Sequence, residues 1–83
     1  MSITVKLFAI LRERAGVDAF QLDLRDGATV ADAAAMIGER YPAAGEHLHR
    51  VAYAVNREYV AATTALHDGD ELAVIPPVSG GCA

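Results

Sequence analysis

Leu66-His67-Asp68-Gly69-Asp70-Glu71-Leu72-Ala73-Val74-Ile75-Pro76-Pro77-Val78-Ser79-Gly80-Gly81 passes through three physically different regimes in sixteen residues. Asp68-Gly69-Asp70 has the composition of a tight turn, with Gly69 suited to positive φ. Leu72 and Val74 alternate with Ala73 and Ile75, the period-two pattern of a strand with one face on a core. Pro76-Pro77 then holds φ twice and offers no N–H, so the chain leaves the sheet as a stiff, extended spacer. Ser79-Gly80-Gly81 has almost no side-chain bulk and passes through a channel that a branched residue would block. Two glycines alone describe a frayed terminus equally well. The turn, strand and proline pair before them favour a segment built for delivery into another protein's active site.

The preceding residues supply the sheet that such a segment needs. Ile3, Val5 and Leu7 alternate with Thr4 and Lys6, and Phe20, Leu22 and Leu24 alternate with Gln21 and Asp23, giving two strands that pair as a wide hairpin. Between them Leu11-Arg12-Glu13-Arg14-Ala15 favours a short helix that stops at Gly16. Thr29 opens the main helix, with its hydroxyl as cap and Asp32 three residues on, where the helix dipole favours negative charge. Val30, Ala34, Ile37 and Tyr41 form its apolar stripe, and Pro42 ends it. Val51, Tyr53 and Val55 alternate in a third strand, and Asn56-Arg57 reads as a turn into a short strand at Tyr59-Val60. One amphipathic helix across a mixed sheet is an α+β two-layer domain. Residues 1–77 are expected to form it, with 78–83 as a flexible C-terminal tail.

With 83 residues there is room for one compact domain and one thin core. The net charge of −4 is spread along the chain, which argues against nucleic acid, since that calls for clustered Lys and Arg. A single cysteine, Cys82, cannot form an internal disulfide. The first residues lack a signal-peptide core, and no apolar run approaches the ~20 residues of a membrane span. A cytoplasmic protein that binds neither membrane nor nucleic acid is the expectation. His47, His49 and His67 have no acidic or sulfur partner at a ligand spacing. His47-x-His49 on one side of a strand would be the best metal pair, but water-exposed loop histidines are the better reading. Ser79 has no partnering histidine, so no catalytic or metal-binding role is assigned within the fold.

The long stretch quoted above resembles the MoaD/ThiS β-grasp sulfur carriers, and among them most closely the small, sulfur-carrying subunit of molybdopterin synthase. Val5-Lys6-Leu7-Phe8-Ala9 followed by Arg12-Glu13 is similar to the same family, as are Thr29-Val30 and Val55-Asn56. The resemblance covers residues 3–81. It implies a ubiquitin-like β-grasp fold and a carrier with no catalytic side chains and no bound cofactor. It also implies a carboxyl at Gly81 that an E1-like adenylating enzyme activates with ATP, and a sulfur donor that turns the adenylate into a thiocarboxylate. Val78, Ser79 and Gly80 would thread the tail into the large subunit of molybdopterin synthase or another sulfur-accepting enzyme. Phe8, Tyr59 and Ile75 occupy the positions of the family's apolar docking patch. Phe8 and Ile75 have the opposite parity to Leu7 and Val74, which puts them on the outer face of a one-sided sheet; the alternative is that they extend the core at the sheet edge.

The family pattern stops at the second glycine, whereas here Cys82-Ala83 follow, so the Gly81 carbonyl is held in an amide. Three readings remain open. A JAMM-type zinc metalloprotease removes the dipeptide, as in similar carriers that serve other sulfur pathways such as thiocarboxylate siderophores or cysteine; a carrier for thiamine is a further alternative. Alternatively, Cys82 attacks the Gly81 carbonyl in an N-to-S shift, although nothing beside it lowers its pKa. Or the residues are inert and the protein is a non-carrier β-grasp interaction module.

Overall fold

A computed structural model describes residues 1–77 of the chain. Strands β1 (Ser2–Leu7), β2 (Ala19–Asp23), β3 (Ala52–Val55), β4 (Glu58–Val60) and β5 (Glu71–Ile75) form one sheet in the order β2-β1-β5-β3-β4. The central β1–β5 pair is parallel and the other three are antiparallel. Helices α1 (Ala9–Ala15), α2 (Val30–Arg40) and α3 (Pro42–Gly45) and a 3-10 turn (Leu48–Arg50) complete the domain.

Alternation does what the sequence predicts in β1 and β5. Ile3, Val5, Leu7, Leu72 and Val74 are buried, and register places Leu22, Phe20, Tyr53, Val55 and Val60 on the same face. Helix α2 closes that face with Val30, Ala33 and Ile37. Ala34, expected in the stripe, is only half-buried; the inward phase is 30-33-37.

The start of α2 has a partner for every exposed donor of its first turn. Asp32 N–H donates to Thr29 Oγ1 at 3.3 Å, and Thr29 N–H donates to Asp32 Oδ2 at 2.9 Å, a reciprocal capping box. Val30 and Ala31 donate their N–H groups to the carbonyls of Thr64 and Ala62, both at 2.9 Å, and Ala33 donates to Thr29. The 61–66 segment thus holds the helix from outside. Pro42 does end α2, but it also begins α3, because a proline at the first helical position loses no hydrogen bond. The histidine pair lies on and beside the 3-10 turn, not on a strand.

The Asp68-Gly69-Asp70 turn locks β5 to its neighbours. Gly69 has φ +85°, a conformation that costs glycine nothing, and donates its N–H to the Ser2 carbonyl at 2.8 Å. Ser2 N–H donates to Asp68 Oδ1 at 2.8 Å. Asn56, in the two-residue turn between β3 and β4, donates from Nδ2 to Asp70 Oδ1 at 2.9 Å and accepts from Glu71 N–H at 3.0 Å. At the β2 edge, Arg40 lies 5.0 Å over the Phe20 ring and donates to the Gln21 carbonyl at 3.1 Å, which covers part of an otherwise open strand.

Candidate functional site

Among the described residues, no helix lies on the face of the sheet away from α2. Tyr59, Ala54, Ala73, Lys6 and Ala19 lie across it in one row of paired residues, and Ala52 and Ile75 in the next row towards the end where β5 leaves the sheet. Phe8 follows Leu7, the partner of Val74 in the parallel pair, and so continues the Ala52–Ile75 row one strand further on. Phe8 is 42% exposed and Tyr59 76% exposed, while Ile75 is half-buried. All three sequence-predicted docking residues therefore share the outer face, and the expectation about parity holds.

What connects them was not foreseen. Ala52, Ala54 and Ala73 make a low floor between Tyr59, Ile75 and Phe8, and Ala54 is buried at 6% exposure although it faces away from the core. Its signal was the second alternation in Ala52-Tyr53-Ala54-Val55, masked because all four residues are apolar. An ion pair between Lys6 Nζ and Glu71 at 3.2 Å stands along the same face. A large aromatic beside small residues and an aliphatic edge suits a partner's apolar surface, since exposed clusters of this kind mark contacts.

The only carboxylate whose titration the described residues clearly shift is in the helix cap, not on this face. The Thr29 backbone N–H holds the Asp32 carboxyl below its usual 3.8; partial burial opposes this, and the Thr29 hydroxyl and Arg25 reinforce it. His67 is exposed, with Nδ1 3.9 Å from Asp70. Among the described residues no three His, Cys, Asp or Glu side chains gather where they would hold a metal ion. Nor, among them, is any helix long and apolar enough to cross a membrane. Val78, Ser79, Gly80, Gly81, Cys82 and Ala83 lie outside the described residues; Pro76 and Pro77, which lead to them, leave β5 beside Phe8 and Ile75 in the register above.

A five-stranded mixed sheet with a parallel central pair and one helix packed across it defines the ubiquitin-like β-grasp class. The chain belongs to the ThiS family, whose model matches residues 5–81. It is 45% identical over 83 residues to a molybdopterin synthase sulfur carrier subunit of Chlamydomonas reinhardtii, covering 98% of this chain and 100% of the relative. Small archaeal modifier protein 1 of Haloferax volcanii superposes with a TM-score of 0.90 at 36% identity, over 98% of this chain and 100% of that one. A subunit in the complex of subunits 1 and 2 of the molybdopterin-converting factor of Helicobacter pylori superposes at 0.73 with 27% identity, over 98% and 100%.

Proposed function

We propose that this chain carries activated sulfur on the carboxyl of Gly81 and supplies it to the large subunit of molybdopterin synthase. The observation that carries the reading is likeness to molybdopterin synthase sulfur carrier subunits along nearly the whole chain, with a family match that runs from residue 5 to residue 81. A JAMM-type metalloprotease first removes Cys82-Ala83 and frees the carboxylate. An E1-like enzyme then adenylates it: a carboxylate oxygen attacks the α-phosphorus of ATP, and pyrophosphate leaves. A hydrosulfide ion released by a sulfur donor attacks the acyl carbon and expels AMP, and loss of the S–H proton leaves a thiocarboxylate. Activation is needed because a carboxylate is a poor electrophile and its adenylate a good one.

The carrier acts with partner enzymes and contributes no catalytic side chain. Its part is mechanical. The apolar outer face with Phe8, Tyr59 and Ile75 docks, Pro76-Pro77 directs the exit, and Val78, Ser79 and Gly80 thread the reacting carboxyl to the partner's active site. A second reading rests on Cys82-Ala83: a carrier that needs processing fits another sulfur pathway, for thiamine, cysteine or a siderophore.

Intact mass spectrometry of the protein incubated with an extract of its own cells and ATP tests the proposal. The expected result is loss of Cys82-Ala83, followed by replacement of one terminal oxygen by sulfur. A full-length mass that never changes, in an extract that loads a known carrier, would leave a β-grasp interaction module instead.

A further inference from the structure

Ile10, His47, His49, Arg50, Pro76 and Pro77 line a shallow groove of about 370 Å³ on the end of the sheet from which β5 departs. That is at the small end for a ligand site, where burial of most of a ligand is the norm. Ile10 and the two prolines give it an apolar part, while Arg50 and two imidazoles supply donors. His49 Nδ1 stands 3.1 Å from the Glu46 carbonyl, and no carboxylate among the described residues pairs with Arg50. Arg50 is the one formally charged group of this lining, a cation in a chain of net charge −4.

Its position has a consequence if the chain is a carrier, the reading on which this inference rests. The four residues from Val78 to Gly81 span at most roughly 14 Å when fully extended. A partner that takes the Gly81 carboxyl into an interior site must therefore close its channel mouth around Pro76-Pro77. Those prolines are one wall of the groove, so the rim of that mouth must face Arg50, His47 and His49. The groove adjoins the outer-face row at the end of the sheet, because Pro76 follows Ile75 and Arg50 lies two residues before Ala52, the partner of Ile75.

We propose that the groove of Ile10, His47, His49, Arg50, Pro76 and Pro77 receives an acidic-hydrophobic element from the channel rim of the large synthase subunit. An apolar side chain seats against Ile10 and the prolines, and a carboxylate next to it pairs with Arg50. The groove thus sets the rotation of the carrier about its own tail, which an apolar face alone defines poorly; charge pairs at an interface rim fix register in this way.

The test is titration calorimetry of the full chain against the large subunit of molybdopterin synthase from the same cells, at low and moderate salt. Arg50→Glu is expected to weaken binding about tenfold at low salt and to reduce its salt dependence, while Arg50→Lys stays within about threefold of the parent. Arg50 is exposed, so an unchanged melting curve serves as the folding control. Binding by Arg50→Glu within twofold of the parent, with the same salt dependence, overturns the groove proposal and leaves the carrier reading in place. Failure of the parent chain itself to bind, with no sulfur loading by mass, overturns both.

Discussion

Gly38 in α2 and Gly45 at the end of α3 face each other, and alanine at the two positions has opposite expected effects. A methyl on residue 45 would stand 3.0 Å from the Gly38 Cα and 3.2 Å from its carbonyl oxygen. These are backbone atoms of a helix and cannot rotate away, so α3 must shift. A methyl on residue 38 would meet the Gly45 Cα and Leu48 Cδ1, each at 3.7 Å, which is ordinary contact. Overpacking of this kind costs about 1–3 kcal/mol, and the better helix preference of alanine returns up to about 1 kcal/mol. Gly45→Ala is therefore expected to destabilise by about 1–2 kcal/mol, and Gly38→Ala to stabilise by about 0.5–1 kcal/mol. For a domain of this size each kcal/mol moves the midpoint by roughly 4–8 °C. The melting temperature should fall by roughly 5–15 °C in the first variant and rise by several degrees in the second, as read by circular dichroism with urea titrations for ΔG. In the double variant the two methyls compete for one gap, so its loss should exceed the sum of the single effects. A Gly45→Ala protein that melts at or above the parent would refute the close approach of α2 and α3.

Three further outcomes follow from the geometry. Asn56→Ala removes the bonds to Asp70 and from Glu71 and puts a methyl side chain at φ +51°, which should cost about 2–3 kcal/mol by urea titration. Asn56→Gly, which keeps the backbone easy, should lose only about half of that, and equal losses would contradict the strain component. Because the folded state depresses the Asp32 carboxyl, its stabilisation is complete above the usual 3.8 and is lost as pH falls through the lower folded value. The urea midpoints of the parent and Asp32→Ala should thus keep a constant gap above about pH 4 and converge below it; a gap that persists at pH 2.5 would show that the cap acts without charge. Tyr59→Ala, at an exposed position, should leave the melt within about 0.5 kcal/mol yet weaken binding to the large synthase subunit more than tenfold, and unchanged affinity would remove this ring from the docking face.

Legibility followed the contrast between neighbouring residues. In β1 every second residue is polar or charged, so the buried set was plain, and the helix cap was plain because Thr29 and Asp32 stand at the one spacing that closes it. Where contrast vanished, so did the phase. Ala33-Ala34-Ala35 offers no way to choose which methyl points inward, and Ala33 takes the place between Val30 and Ile37. Ala52-Tyr53-Ala54-Val55 is apolar throughout, so the outer floor of alanines came to light only from the pairing with Tyr59, Ala73 and Ile75. Pro42 was legible as a stop but not as a start, since both follow from the same missing N–H. The shared outer face of Phe8 and Ile75 was legible from parity, and Tyr59 joined them through the family resemblance. The groove beside the tail was not, because its six residues come from three segments that only the topology brings together.

That topology explains why the two ends of the sheet are built so differently. The parallel pairing of β1 and β5 puts their C-terminal ends side by side, and antiparallel β3 brings its N-terminal end to the same edge. Phe8 and Ile10, the 47–50 segment and Pro76-Pro77 must then meet there, however far apart they are in sequence. The opposite edge collects the start of β1, the Asp68-Gly69-Asp70 turn and the Asn56-Arg57 turn, and it is closed by backbone and carboxylate hydrogen bonds among Ser2, Asn56, Asp68, Gly69, Asp70 and Glu71. One end is fastened by local polar contacts, while the other presents apolar and cationic groups around the departing chain. Had β5 run antiparallel to β1, the prolines would leave from the fastened edge, away from Phe8 and Arg50. On the proposed carrier function the direction of a single strand pair would couple docking to delivery, and the hydrogen bonds of Ser2 with Asp68 and Gly69 and of Thr4 with Asp70 at the far edge help to hold that pair in register.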